Sequence, residues 1–117
     1  MSGMTSYLAG QSAESSVEAD YARRGYPVAA RRWRGSRGEL DIVLRDGKSF
    51  VFVEVKKARS FARAAERLTR AQINRIWGAA QEFVAREPKG LLTEMRFDVA
   101  LVNERGEVQI MENAYAY

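Results

Sequence analysis

The 117 residues include no cysteine, no histidine and only two prolines. Without cysteine there is neither a disulfide framework nor a thiolate metal site. Without histidine, Ser-His-Asp hydrolysis, a histidine-held zinc centre and a histidine general base are all excluded. Whatever chemistry the chain carries must use carboxylates, lysine, arginine, hydroxyls or a hard cation held by oxygen. No apolar run approaches the roughly 20 residues that cross a bilayer. Met1–Gln11 lacks the basic and apolar regions of a signal peptide, so the expected location is cytoplasmic, with no membrane partner.

Hydrophobic residues at 46% suffice for one buried core in a chain of this length. We expect a flexible N-terminus over 1–11 and a single domain over 12–117. Net charge is +4, and the excess is unevenly placed: Arg23, Arg24, Arg31, Arg32, Arg34 and Arg37 fall within fifteen residues. Arginine suits bidentate phosphate recognition, so this stretch is either a backbone-binding stripe or a solvated basic surface.

Ser12 is a candidate N-cap for a helix to Arg24 that buries Ala13, Val17 and Tyr21, with Gly25 as its stop. Strands are expected over Tyr26–Trp33, Glu39–Arg45 and Phe50–Lys56, with a turn at Asp46-Gly47. Phe50–Val53 is apolar on both faces, which suits an inner strand. A helical stretch, Ala62–Arg86, divides at a capping box, Thr69 to Gln72. Ile73, Ile76, Trp77, Ala80, Phe83 and Val84 then form one apolar stripe. Strands Arg96–Val102 and Glu107–Met111 close the chain. The fold class is α/β of the α+β kind: a mixed sheet flanked by helices.

Cross-strand geometry singles out three charged residues. A two-residue turn at Asp46-Gly47 places Asp41 opposite Phe52; a four-residue loop, 46–49, places it opposite Glu54. Either puts Asp41, Glu54 and Lys56 on one face, whereas a three-residue loop would separate them. That face also carries Val43, Phe50 and Phe52, where unpaired charge is costly. Two adjacent carboxylates call for a cation, and Mg²⁺ or Mn²⁺ supports metal-assisted phosphodiester hydrolysis. The plainer alternative is a salt-bridge cluster in a structural domain.

Arg-Arg-Trp-Arg (31–34), Gly-Glu-Leu-Asp-Ile-Val (38–43), Asp46-Gly47, Phe-Val-Glu-Val-Lys (52–56) and Arg-Phe-Asp-Val (96–99) resemble the bacterial YraN-type family. That family is described as Holliday-junction-resolvase-like, within the PD-(D/E)xK nuclease superfamily. The resemblance spans about Ala13 to Val102. It implies a restriction-endonuclease-like αβββαβ core, with Asp41, Glu54 and the Val55 carbonyl as metal ligands, Lys56 as the catalytic lysine and a first-helix carboxylate at Glu14, or else Glu18. Glu39 is either a further ligand or a strand-edge charge. The expected activity is a Mg²⁺- or Mn²⁺-dependent endonuclease on DNA, including branched DNA. The alternative is a catalytically silent nucleic-acid-binding module of the same fold.

Expected backbone contacts are Arg31, Arg32, Arg34, Arg37, Lys57 and Arg59; Arg63, Arg67 and Arg70 either extend this surface or are solvated. The chain departs from the family pattern in having Lys57-Ala58 before Arg59, no glycine at Ser60-Phe61-Ala62, and Gln72 where a lysine is common. Trp77 is expected in the core, Trp33 on a base or against the first helix, and Asp98 beside an arginine without a catalytic role. Resolving a junction would need a homodimer, for which the second helix or Glu112–Tyr117, with Tyr115 and Tyr117, could supply the interface.

Overall fold

The structure, a computed structural model, describes residues 2–114, with side chains from Ser12 onward. Helix α1 (Ser2–Arg23) precedes strands β1 (Val28–Arg34), β2 (Glu39–Asp46) and β3 (Ser49–Lys57). Helices α2 (Phe61–Glu66) and α3 (Arg70–Val84) and a 3₁₀ turn (Gly90–Leu92) lead to β4 (Met95–Val102) and β5 (Val108–Met111). The sheet order is β1-β2-β3-β4-β5, parallel only between β3 and β4. The helical crossover from β3 to β4 makes that one parallel pairing possible. This is the expected mixed sheet with helices on both faces.

Each face carries its own core. Towards α1, Ala13, Val17 and Tyr21 pack on Ile42, Leu44, Val51, Val53, Ala100 and Val102. Towards α2 and α3, Ala64, Ile76, Ala80 and Val84 pack on Val43, Phe50, Phe52, Phe97 and Val99. Strand β3 contributes to both cores, as its doubly apolar sequence requires. Phe83 is the aromatic hub of the second core, edge-on to Trp33, Phe50 and Phe52 at 5.3–5.8 Å.

Three local expectations need correction. The helix starts at Ser2, not Ser12; Ser12 lies inside it, its carbonyl accepting the Ser16 hydroxyl at 3.0 Å. A serine caps only where the backbone before it is non-helical. The C-terminal stop is as expected: Gly25 has φ +89°, and the bonds Gly25 N–H to Ala22 O and Tyr26 N–H to Tyr21 O make a Schellman motif. Second, the β2–β3 turn is Gly47-Lys48, because Asp46 pairs with Ser49. Gly47, first in the turn with φ +63°, takes the position a II′ turn reserves for glycine. Third, Trp33 packs under α3 against Phe83 rather than on the first helix, and Arg86 lies 5.6 Å over its ring.

In the α3 stripe, Ile76, Ala80 and Val84 are buried in the core and Trp77 and Phe83 pack against it. The capping box is present: Thr69 accepts from the Gln72 N–H at 3.1 Å, and Gln72 Oε1 from the Thr69 N–H at 3.2 Å. Tyr115 and Tyr117 lie outside the described residues.

Candidate active site

The β2–β3 register decides where the three charged residues fall. Ile42 pairs with Val53, so the same ladder carried one step further sets Asp41 opposite Glu54. This is the register of the second sequence-based alternative, reached through a shorter turn. Glu54 and Lys56, two apart on β3, share a face. Lys56 Nζ lies 3.2 Å from Glu54 Oε2, with only 14% and 12% of their side chains exposed. Asp41 is held from the side: its Oδ2 accepts the Val55 backbone N–H at 2.9 Å. Val55 is half-buried, its side chain against the α1-side core.

Asp41 also sits where the sheet changes face. Regular alternation would put Leu40 with Ile42 in the α1-side core, yet Leu40 belongs to the α3-side core. The change falls between the pairs Arg31–Ile42 and Trp33–Leu40, at the level of Arg32 and Asp41. Arg32 takes it up with φ +47°, a left-handed conformation that costs a non-glycine residue of order 1 kcal/mol or more. At this level Asp41 therefore feels groups from both helical layers.

From α1, Glu14 raises no hydrogen bond to Asp41 but interacts with its charge. Burial, and then Asp41, push the Glu14 carboxyl above the ordinary carboxylate value, while Arg32 at 3.4 Å pulls it back. Glu18, the other helix candidate, is occupied by Arg31 through contacts of 2.8–3.0 Å. Glu14 is thus the helix carboxylate nearer the site electrostatically.

On the α3 side, Asp41 and Glu54 line a pocket of about 220 Å³ with Gly38, Glu39, Gln72, Arg75 and Ile76. Glu39 faces it while also pairing with Arg34 at 3.1 Å. Arg75 and Gln72 had not been singled out as site residues. The signal was their spacing, three apart and beside Ile76 on the same helix flank. Glu82 was missed as well: its carboxylate accepts the backbone N–H groups of Ser36 and Arg37 at 3.0 Å and the Ser36 hydroxyl at 2.8 Å. These bonds hold its carboxyl below the ordinary value and fix the loop that delivers Gly38, Glu39 and Asp41. The Arg37 side chain runs across α3 at Gly78, where any Cβ would collide with it.

The Glu54 carboxyl is pushed up to about 8, first by burial, then by its hydrogen bond to Asp41 and that residue's charge; Lys56 opposes the shift. Burial beside Asp41 favours the protonated form of Glu54, and Lys56 at 3.2 Å favours the ionised one. A hard divalent cation would hold both carboxylates ionised. Among the described residues no cluster of three or more acidic side chains is set to hold a metal. Asp41 and Glu54 could hold only a cation that takes two protein carboxylates and draws the rest of its shell from elsewhere.

On β4 itself lies a second buried polar group. Asp98, fully buried, accepts from Tyr21 Oη at 2.7 Å, from Arg96 at 2.8 and 2.9 Å and from the Asn113 N–H at 3.0 Å. It ties α1 to β4, the arginine pairing expected for it. Burial and Asp98 raise the Tyr21 hydroxyl far above the ordinary tyrosine value, and Arg96 is raised too.

The basic stripe is largely paired: Arg31 with Glu18, Arg32 with Glu14 and Arg34 with Glu39. Lys57 ends β3, and Arg59 follows it as an exposed residue. No helix among the described residues is long and apolar enough to cross a membrane.

The fold and site thus define an α+β protein with a carboxylate pair and a lysine at one end of a five-stranded mixed sheet. The chain belongs to the uncharacterised protein family UPF0102, whose model matches residues 13–102 and so takes in Glu14, Asp41, Glu54 and Lys56. It is 59% identical over 116 residues to a UPF0102 protein of Cereibacter sphaeroides, covering 99% of each chain. A UPF0102 protein of Ruegeria pomeroyi is 55% identical over 98% of this chain and 94% of its own. One of Dinoroseobacter shibae is 46% identical over 95% and 83%.

Proposed function

We propose that the protein is a divalent-metal-dependent nuclease of the PD-(D/E)xK kind that hydrolyses phosphodiester bonds in DNA, branched DNA included. The observation that carries this reading is the register that sets Asp41 opposite Glu54, both lining a pocket, with Lys56 3.2 Å from Glu54. Asp41 and Glu54 would hold Mg²⁺ or Mn²⁺, which when bound activates water and neutralises developing phosphate charge. The Val55 N–H fixes the Asp41 carboxylate through Oδ2. Lys56, once Glu54 is engaged elsewhere, has an ammonium to orient the attacking water or to donate to a phosphate oxygen. Arg75, exposed on the pocket wall, can meet a second phosphate oxygen.

A second reading, a binding module that keeps the fold without turnover, is favoured by one observation: Glu14 is engaged by Arg32. Incubation of labelled four-way junction, flap, single-stranded and duplex DNA with Mg²⁺, Mn²⁺ or EDTA separates the two. Metal-dependent products support the nuclease. Binding without products under every metal condition supports the module.

A further inference from the structure

We propose that the nucleic-acid backbone is held on the α2 side of the site, by Arg59 and Arg63, and not by the arginines of β1. The inference rests on the nucleic-acid reading above and adds to it the path of the bound strand.

The two basic regions differ in what already occupies them. On β1, Arg31 forks onto Glu18, and Arg32 and Arg34 pair with Glu14 and Glu39. A phosphate there must displace a carboxylate and leaves that carboxylate behind as a repelling neighbour. Among the described residues, by contrast, Arg59 and Arg63 form no ion pair. Both are exposed and line a shallow groove of about 500 Å³ with Ala58, Glu66 and Arg67. Three guanidiniums face one carboxylate there.

The groove is also built, with one wall fixed. Arg67 donates to the Lys57 carbonyl at 2.7 Å, tying the end of α2 back to the end of β3. Ser60 caps α2 by accepting the Arg63 N–H at 3.2 Å, which sets Arg63 on the first turn, four residues after Arg59. The groove begins close to the catalytic strand, since Arg59 follows Lys56 by three residues, at most about 10 Å of extended chain. A strand whose phosphate lies at Asp41, Glu54 and Lys56 therefore has adjacent phosphates within reach of two unpaired guanidiniums, the group suited to forked phosphate contacts.

The test compares two double variants of equal charge change, R59A/R63A and R31A/R34A. Fluorescein-labelled duplex and four-way junction DNA are titrated in EDTA, and binding is followed by anisotropy across a range of NaCl concentrations. Each lost phosphate contact lowers the salt slope by about 0.9. R59A/R63A should weaken binding roughly tenfold or more at low salt and lower the slope by about 1.8, while R31A/R34A keeps the wild-type slope. The reverse pattern, or equal losses in both variants, overturns the assignment while leaving the nucleic-acid reading intact. Wild type that binds neither DNA overturns that reading, and this inference with it. Circular dichroism of both variants excludes misfolding, and Arg67 is left in place because it anchors the wall.

Discussion

Replacing Glu54 by glutamine should make the metal-free protein more stable at high pH while leaving it unchanged at low pH. The Glu54 carboxyl stands at about 8 in the fold against an ordinary 4.5, because it is buried beside Asp41. A raised carboxyl binds its proton more tightly in the folded state. Its contribution is therefore fully present below about pH 4.5 and is lost as pH rises through about 8. At about 1.36 kcal/mol per unit, the ceiling is on the order of 4–5 kcal/mol, and relaxation and water entry reduce it to a few.

Glutamine is isosteric and never ionises, so Glu54→Gln should match wild type near pH 5 and exceed it by a few kcal/mol near pH 9. Urea unfolding in EDTA across this range supplies the assay, read as the difference between the two proteins so that every other titrating group cancels. Mg²⁺ or Mn²⁺ at pH 9 should restore wild type and leave the variant unmoved. Parallel pH profiles for the two proteins would show that Glu54 is not held beside Asp41 in a dry setting, and the site geometry would have to be abandoned.

Asp98→Ala should cost about 3–5 kcal/mol in urea unfolding, because it strands Arg96 and the Tyr21 hydroxyl against the α1-side core. Tyr21→Phe, which removes one of the donors, should cost only about 1–2 kcal/mol. Thr69→Ala should cost about 1 kcal/mol through loss of the α3 capping box, with no change in metal binding. Glu82→Ala should release the loop before Asp41, seen as faster amide exchange at Ser36 and Arg37; unchanged exchange there would mean that the loop holds itself.

The sheet was legible because its signals are local and agree with one another. The doubly apolar Phe50–Val53 marks the inner strand, Thr69 and Gln72 mark the start of α3, and Gly25 marks the end of α1. Asp41, Glu54 and Lys56 could be placed on one face because strand alternation and an even-length connection leave little choice. What escaped the sequence depends on long-range contact. Whether an arginine is free or paired turns on which acid the fold brings near it, and Glu18 takes up Arg31 only once α1 lies on the sheet. The change of face at Arg32 and Asp41 is likewise invisible, since nothing in arginine's chemistry asks for a positive φ. Glu82 reaches a loop 45 and 46 residues away, a separation that no periodicity reveals.

The most direct test of the central claim sets Mn²⁺ calorimetry beside DNA cleavage for wild type, Glu54→Gln and Lys56→Ala, each shown to be folded. If Asp41 and Glu54 hold the metal and Lys56 acts on the water or phosphate, Glu54→Gln loses both metal binding and cutting. Lys56→Ala then still binds Mn²⁺ but cuts no DNA. Wild type that takes up no Mn²⁺, or a Lys56→Ala protein that cuts as fast as wild type, would contradict the account.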